Sequence, residues 1–150
     1  MAEDQWPDVS GRIQNGIHSM PIRVYYEDTD AGGIVYHARY VVFCERARSD
    51  CLRLLGIHQS ALGGVHFVVR RMTCDFLKPA RLDDLLEVET RFLGLGGARV
   101  EIGQQVMLNG NTCFRADVTV AVVDGRGRPM RLPETLAETF RGILKSRNLT

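Results

Sequence analysis

Four stretches in a row, Val65 to Leu77, Leu85 to Leu95, Arg99 to Leu108 and Thr112 to Val123, have the length and the alternating or β-branched character of strands, and one strong helical pattern precedes them. A sheet of that size with one helix to cover it has to curl around the helix to bury its apolar face. Between the third and fourth stretches stands Asn109-Gly110, the dipeptide of tight type I′ hairpins, so those two strands are expected to be antiparallel neighbours. The helical pattern runs from Tyr36 to Leu55. Val41, Cys44, Ala47, Cys51, Leu54 and Leu55 recur at helical spacing, and Gly56 supplies a stop. Such a helix is about 30 Å long. Val42 and Phe43 widen its apolar face, as expected of a helix covered on more than one side.

Upstream, Ile22, Val24 and Tyr26 alternate with polar or amphipathic residues and read as a short strand. Residues 1–19 carry Pro7, Gly11 and Gly16 without periodicity and read as a poorly structured tail, leaving residues 20–150 as a single domain. At the other end Leu136, Phe140, Ile143 and Leu144, after Pro133, predict a short amphipathic helix. The order is β-α-β-β-β-β-α. This is an α+β chain with a sheet of about five strands, one long helix and a short C-terminal helix.

A net charge of +1 argues against bulk affinity for nucleic acid or anionic lipid. The cysteines, Cys44, Cys51, Cys74 and Cys113, have no metal-ligand spacing and suit a reducing compartment. No apolar run reaches the ~20 residues of a membrane span, and the start MAEDQWPDVSGR is acidic where a secretion signal would be basic and then apolar. A cytoplasmic protein with neither metal nor cofactor is expected.

The segment VYYEDTDAGGIVYHARY, Val24 to Tyr40, concentrates acids, glycines and a histidine between strand and helix. Asp28-x-Asp30-x-Gly32-Gly33 opens like a calcium loop, but Arg39 stands where the bidentate Glu belongs. Gly94-Leu95-Gly96-Gly97-Ala98-Arg99 imitates a dinucleotide fingerprint, yet Arg99 replaces its last glycine and a strand follows. Both are rejected. On spacing alone the two aspartates are turn residues whose carboxylates accept nearby N–H groups. Gly32 and Gly33, however, let a backbone approach something closely, and the helix that follows points unpaired N–H groups into the same region. Those donors and the helix dipole suit an oxyanion.

RVYYEDTDAGGIVYHARY, then FCERARSDCLRLLG and FVVRRMTCDFLKPARLDDLLEVET, resemble the hot dog-fold acyl-CoA thioesterases of the 4-hydroxybenzoyl-CoA thioesterase superfamily, most closely the Tol-Pal-system-associated branch. The similarity spans roughly Pro21 to Phe140. It implies a curved antiparallel sheet around the helix, an acyl-CoA substrate, sheets joined edge to edge in a homodimer or homotetramer, and a link to the Tol-Pal envelope machinery. It makes Asp30 the catalytic carboxylate, as nucleophile or general base, with Tyr26 and His37 beside it. Gly32, Gly33, Val35 and Tyr36 would line the acyl site, with N–H groups at Val35 to His37 as oxyanion donors, and Gly96, Gly97, Ala98 and Arg99 would meet CoA. Relatives often carry a small hydroxyl residue in that last loop, where this chain has Ala98 and Arg99. A hot dog hydratase or dehydratase, and an acyl-CoA or acyl-carrier-protein binding module without turnover, are the competing expectations.

Overall fold

The computed structural model describes residues 8–148. Six strands, β1 (Arg12–Gln14), β2 (Ile17–Arg23), β3 (His66–Phe76), β4 (Leu85–Leu95), β5 (Arg99–Leu108) and β6 (Asn111–Val123), form one sheet in the order β1-β2-β4-β5-β6-β3. Every pairing is antiparallel. Helix α1 (His37–Leu54) lies against the sheet, and α2 (Glu134–Asn148) closes one end. This is the α+β architecture implied by the strand pattern, with six strands where about five were expected.

The inward positions explain why the chain folds this way. Leu86, Val88 and Phe92 of β4, Val100, Ile102 and Val106 of β5, and Phe114, Ala116, Val118, Val120 and Val122 of β6 alternate with exposed or half-exposed neighbours, save that Cys113 beside Phe114 is buried too. They meet Tyr40, Phe43, Cys44, Ala47, Cys51 and Leu52 of α1 in one buried core. Burying each larger side chain contributes about 1.5–3 kcal/mol. Asn109 and Gly110 both take positive φ, 51° and 80°, as a type I′ turn between β5 and β6 requires.

The expected tail is wrong for much of its length. Residues 1–7 lie outside the described residues, but Arg12 to Gln14 pair with Ile17 to Ser19, and β2 continues along β4 from Ile17 to Arg23. A second Asn-Gly turn makes this possible, with Asn15 at φ 55° and Gly16 at φ 74°. The hairpin is anchored inward. His18, fully buried, contacts the Ser10 carbonyl through Nε2 at 2.7 Å, and Ser10 Oγ donates to Asp50 of α1 at 3.0 Å. A carbonyl only accepts, so His18 carries its proton on Nε2. Burial lowers the His18 pKa below its ordinary value of 6.5, against smaller opposing effects of the Ser10 bond and the Asp50 charge. Gly11, at φ 85°, passes so close to β2 that a Cβ there would lie 2.0 Å from the Ser19 oxygen. The strand expected around Ile22 to Tyr26 ends at Arg23, and Tyr26–Asp28 forms a 3-10 turn.

At the far edge of the sheet, β3 runs for 11 residues. Phe67, Val69, Met72, Cys74 and Phe76 lie opposite the buried Val122, Val120, Val118, Ala116 and Phe114 and so share the helix side of the sheet. Val69 and Met72 can share a face only because Arg70 is an extra, unpaired residue between them, a β-bulge.

Candidate active site

Residues 28–36 fold back on themselves. Tyr36 N–H donates to Asp28 O, Thr29 and Val35 form an antiparallel bridge, and Asp30 N–H donates to Ile34 O at 3.0 Å. Asp30 therefore stands at the tip of a tight loop and His37 opens the helix just beyond its other arm. Two glycines make the tip feasible. Gly33 sits at φ 79°, and a Cβ on Gly32 would lie 3.2 Å from Asp30 Oδ1, which accepts the Gly32 N–H at 2.8 Å. The Asp30 carboxylate is exposed, with its second oxygen making no hydrogen bond among the described residues.

The other predicted residues of this segment lie at the base of the same loop. Tyr26 is 82% exposed, and its backbone carbonyl accepts the Thr29 hydroxyl, which ties the 3-10 turn to the loop. The His37 ring stands 4.5 Å from Tyr36 and meets Phe76 edge-on at 6.0 Å, centroid to centroid. Tyr36 and Phe76 are about half exposed, so His37 sits in an aromatic patch at the surface.

One expectation changes. Val35 N–H is committed to Ala80 O and Tyr36 N–H to Asp28 O, each at 2.8 Å, and the Val35 side chain is in the core. Neither can donate to an oxyanion. Among the described residues no acceptor takes the His37 N–H, which leaves it as the first free donor at the positive end of the helix dipole.

Asp28 has a different task. Its Oδ1 accepts Arg39 Nε at 2.8 Å and Nη2 at 2.7 Å, and its Oδ2 accepts the Tyr25 N–H. Only 3% of its side chain is exposed. This ion pair straps the 3-10 turn onto the first turn of α1 and thereby positions the loop carrying Asp30. Sequence spacing gave no signal for it, since the two residues lie in different elements. We expect Asp28→Asn to cost about 2 kcal/mol or more by leaving a mostly buried guanidinium without its counter-charge. Thermal melts would show the loss, while kcat of the folded fraction stays within about tenfold of wild type.

The Gly96 to Arg99 loop does not join this cluster within the chain. The Asp30 loop hangs at the end of β4 where Leu85 pairs with Arg23, because Val24 bonds Asp83 and Asp84 and Ile34 bridges Arg81. Gly96 follows the opposite end of β4, eleven residues on, roughly 33 Å away. There Gly96 N–H donates to Arg99 O, a Cβ on Gly96 would meet Arg99 Cγ at 3.0 Å, and the Arg99 side chain pairs loosely with Glu101 at 3.5 Å. Ala98 O accepts Val122 N–H, and Gly97 O accepts Leu132 N–H. Among the described residues no three metal-ligating side chains come together.

Residues 32–114 match the thioesterase superfamily model. The acyl-CoA thioester hydrolase YbgC of Escherichia coli O6:H1 is 46% identical over 125 residues, covering 81% of this chain and 93% of that protein. The acyl-CoA thioesterase YbgC of Haemophilus influenzae is 45% identical over 135 residues, 87% of this chain and 98% of that one. Among solved structures, a thioesterase from Thermus thermophilus complexed with coenzyme A and zinc superposes with a TM-score of 0.76 at 28% identity, covering 87% of this chain and 95% of its own.

Proposed function

The chain belongs to the thioesterase superfamily, and from that premise we propose that it hydrolyses acyl-CoA to a carboxylic acid and free CoA with Asp30 as the reacting carboxylate. The observation that carries the residue assignment is the loop that holds an exposed carboxylate beside a helix start with an uncommitted N–H. The thioester carbonyl oxygen takes the His37 N–H, and charge developing on it in the tetrahedral intermediate is stabilised there, an effect typically worth about 10²–10³ in rate per donor. Asp30 then acts in one of two ways. It attacks the carbonyl carbon, expels CoA thiolate and leaves a mixed anhydride that water cleaves, or it takes a proton from a water that attacks directly. In both, one water is consumed and the thiolate leaves without metal assistance. Tyr26, Tyr36 and the His37 ring form the rim of the acyl site, with Gly32 and Gly33 giving close backbone approach.

The same proposal includes a homodimer. β3 is a long edge strand with an apolar helix-side face, a hazard that pairing removes. Antiparallel pairing of β3 with its own copy across a two-fold axis sets the Phe76 end of one strand beside the His66 end of the other. His66 to Val69 pair with the stretch from Val120 to Val123, and Ala121 pairs with Arg99, so the partner's loop at residues 96–99 arrives near the Asp30 loop. Arg99 is then placed to meet CoA phosphate. Two such dimers would make a tetramer, and cytoplasmic location with a link to Tol-Pal machinery completes the reading. The four cysteines are free, and no described helix is long and apolar enough to cross a membrane.

A thiol-trapping assay on the purified protein tests the reaction. We expect stoichiometric release of CoA thiol and carboxylic acid from acyl-CoA. Addition of water across an enoyl-CoA double bond with no thiol release would assign the protein to hydratase chemistry, and tight binding without either product to a carrier role.

A further inference from the structure

Tyr40 stands one turn into α1, three residues after His37, and is buried. Its ring stacks on Phe114, with centroids 5.2 Å apart and planes 9° from parallel, and meets Phe43 and Phe76 edge-on at 6.1 and 6.2 Å. Burial raises the pKa of its hydroxyl above the ordinary value of 10, against a smaller opposing effect of the Ala80 N–H, so it stays a neutral phenol and is no base at working pH. What the hydroxyl oxygen does is accept the Ala80 N–H at 3.1 Å. Ala80 is fully buried, and among the described residues its N–H has no other acceptor. Pro79 before it has no N–H, and the Arg81 N–H after it goes to Asp84, so the bond from Ala80 is the one that ties this turn of the chain to α1.

The other side of Ala80 faces the reaction. Its carbonyl accepts the Val35 N–H at 2.8 Å, and next to it Ile34 and Arg81 form an antiparallel bridge, so residues 80 and 81 are the template on which Ile34 and Val35 lie. His37, whose N–H is the free donor of the helix start, comes two residues later. Because the N–H and the C=O of Ala80 flank one Cα, a rotation of residue 80 that moves one also displaces the other. A second link runs through side chains, since Phe76, which Tyr40 touches, meets the His37 ring edge-on at 6.0 Å. We propose that Tyr40 is a positioning residue for the oxyanion donor: by holding Ala80 it fixes Val35, and through Val35 the direction of the His37 N–H, without touching substrate. A misplacement of about 1 Å at a reacting group can cost about 10²-fold in rate. The hydroxyl is buried, so its removal alters no surface that substrate meets. This inference rests on the reading of Asp30 and the His37 N–H above and adds the residue that sets the geometry of the second.

The test compares Tyr40→Phe with Val118→Ala on a good acyl-CoA substrate. The first removes only the hydroxyl and leaves the Ala80 N–H without an acceptor; the second loosens the same core at a residue with no hydrogen bond to Ala80. Both should melt below wild type. Tyr40→Phe should lower kcat ~10–10²-fold with KM within about threefold of wild type, while Val118→Ala keeps the wild-type kcat. Binding then separates positioning from general loosening. A CoA trifluoromethyl ketone, which the site captures as a tetrahedral oxyanion adduct, should bind Tyr40→Phe more weakly by the factor lost in kcat/KM. A CoA thioether that lacks the carbonyl should bind it as it binds wild type. In proton–nitrogen correlation spectra the amide signals of Val35 and His37 should move in Tyr40→Phe and stay in place in Val118→Ala. Wild-type kcat in folded Tyr40→Phe would overturn the proposal, and so would an equal loss of affinity for both CoA analogues. Should Tyr40→Phe not fold, 4-fluorophenylalanine at position 40 fills the volume of the hydroxyl but accepts hydrogen bonds poorly, and the same outcomes decide. Failure of the underlying reading looks different: wild type releases no thiol from acyl-CoA, or Asp30→Asn turns over like wild type.

Discussion

Asp30→Asn is expected to lower kcat at least ~10²-fold, with substrate affinity and melting temperature close to wild type. The substitution isolates chemistry from architecture. Asparagine keeps an Oδ1 able to accept the Gly32 N–H that Asp30 now accepts at 2.8 Å, so the loop loses none of its internal hydrogen bonds. The side chain is exposed and makes no ion pair among the described residues, so little stability depends on its charge. What is lost is a group that can take a proton or attack a carbonyl. Steady-state kinetics on a good acyl-CoA substrate is the measurement, with a single-turnover experiment to separate binding from chemistry. Turnover near wild type would remove Asp30 from the mechanism, and equal kcat losses in Asp30→Asn and Asp28→Asn would mean that the division of work between the two acids is wrong.

The second large effect is on stability. Deleting residues 1–18 removes β1, the start of β2, Ser10 and its bond to Asp50, and leaves the rest of β2 as a raw edge. The β1–β2 ladder, the Ser10 and Gly11 N–H bonds to Asp8, the Ser10–Asp50 bond and the His18–Ser10 contact disappear with the packing of His18 and Ile13. At about 0.5–1.5 kcal/mol net for each hydrogen bond, the loss should reach about 3 kcal/mol or more. For a chain of this size that lowers Tm by roughly 6–12 °C. Calorimetry of the shortened chain checks it, and an unchanged melting temperature would mean that the hairpin is an ornament on a self-sufficient core. The intact chain should also show an acid limb that the shortened one lacks. Because burial lowers the His18 pKa, the unfolded chain binds the proton more tightly, and stability present above the unfolded pKa of about 6.5 drains away as pH falls below it.

That hairpin is also where reading the sequence fell short. Asn15-Gly16 is the same dipeptide as Asn109-Gly110, but Arg12, Ile13 and Gln14 offer a strand of three residues with one apolar side chain, too short for alternation to register. What holds it is a buried histidine on a backbone carbonyl and a serine on a helix aspartate, contacts no periodicity announces. The long strands and α1 were legible because each repeats its pattern several times over. The cluster from Tyr26 to His37 was legible for another reason, since a local loop brings its members together. Fates of individual N–H groups were not. Val35 and Tyr36 looked as free as His37 until Ala80 and Asp28, one far along the chain and one just before the loop, were seen to claim them. The partition of work between Asp28 and Asp30 was likewise hidden, because it depends on where Arg39 points.

The bulge in β3 sets which changes of length this chain can absorb. Alternation is a parity, and the unpaired Arg70 shifts it by one, which is why Val69 and Met72 face the helix together. Loss of Arg70 alone would straighten the strand and leave Phe67, Val69, Met72, Cys74 and Phe76 on the side they now occupy. Loss of Thr73 has no such solution: either Cys74 and Phe76 turn to solvent and Asp75 turns inward, or the bulge dissolves to keep those two in place and Arg71 enters the core side instead. Every strand of strict alternation is rigid in its length, and this one has a single place where a residue can vanish without moving any other to the wrong face.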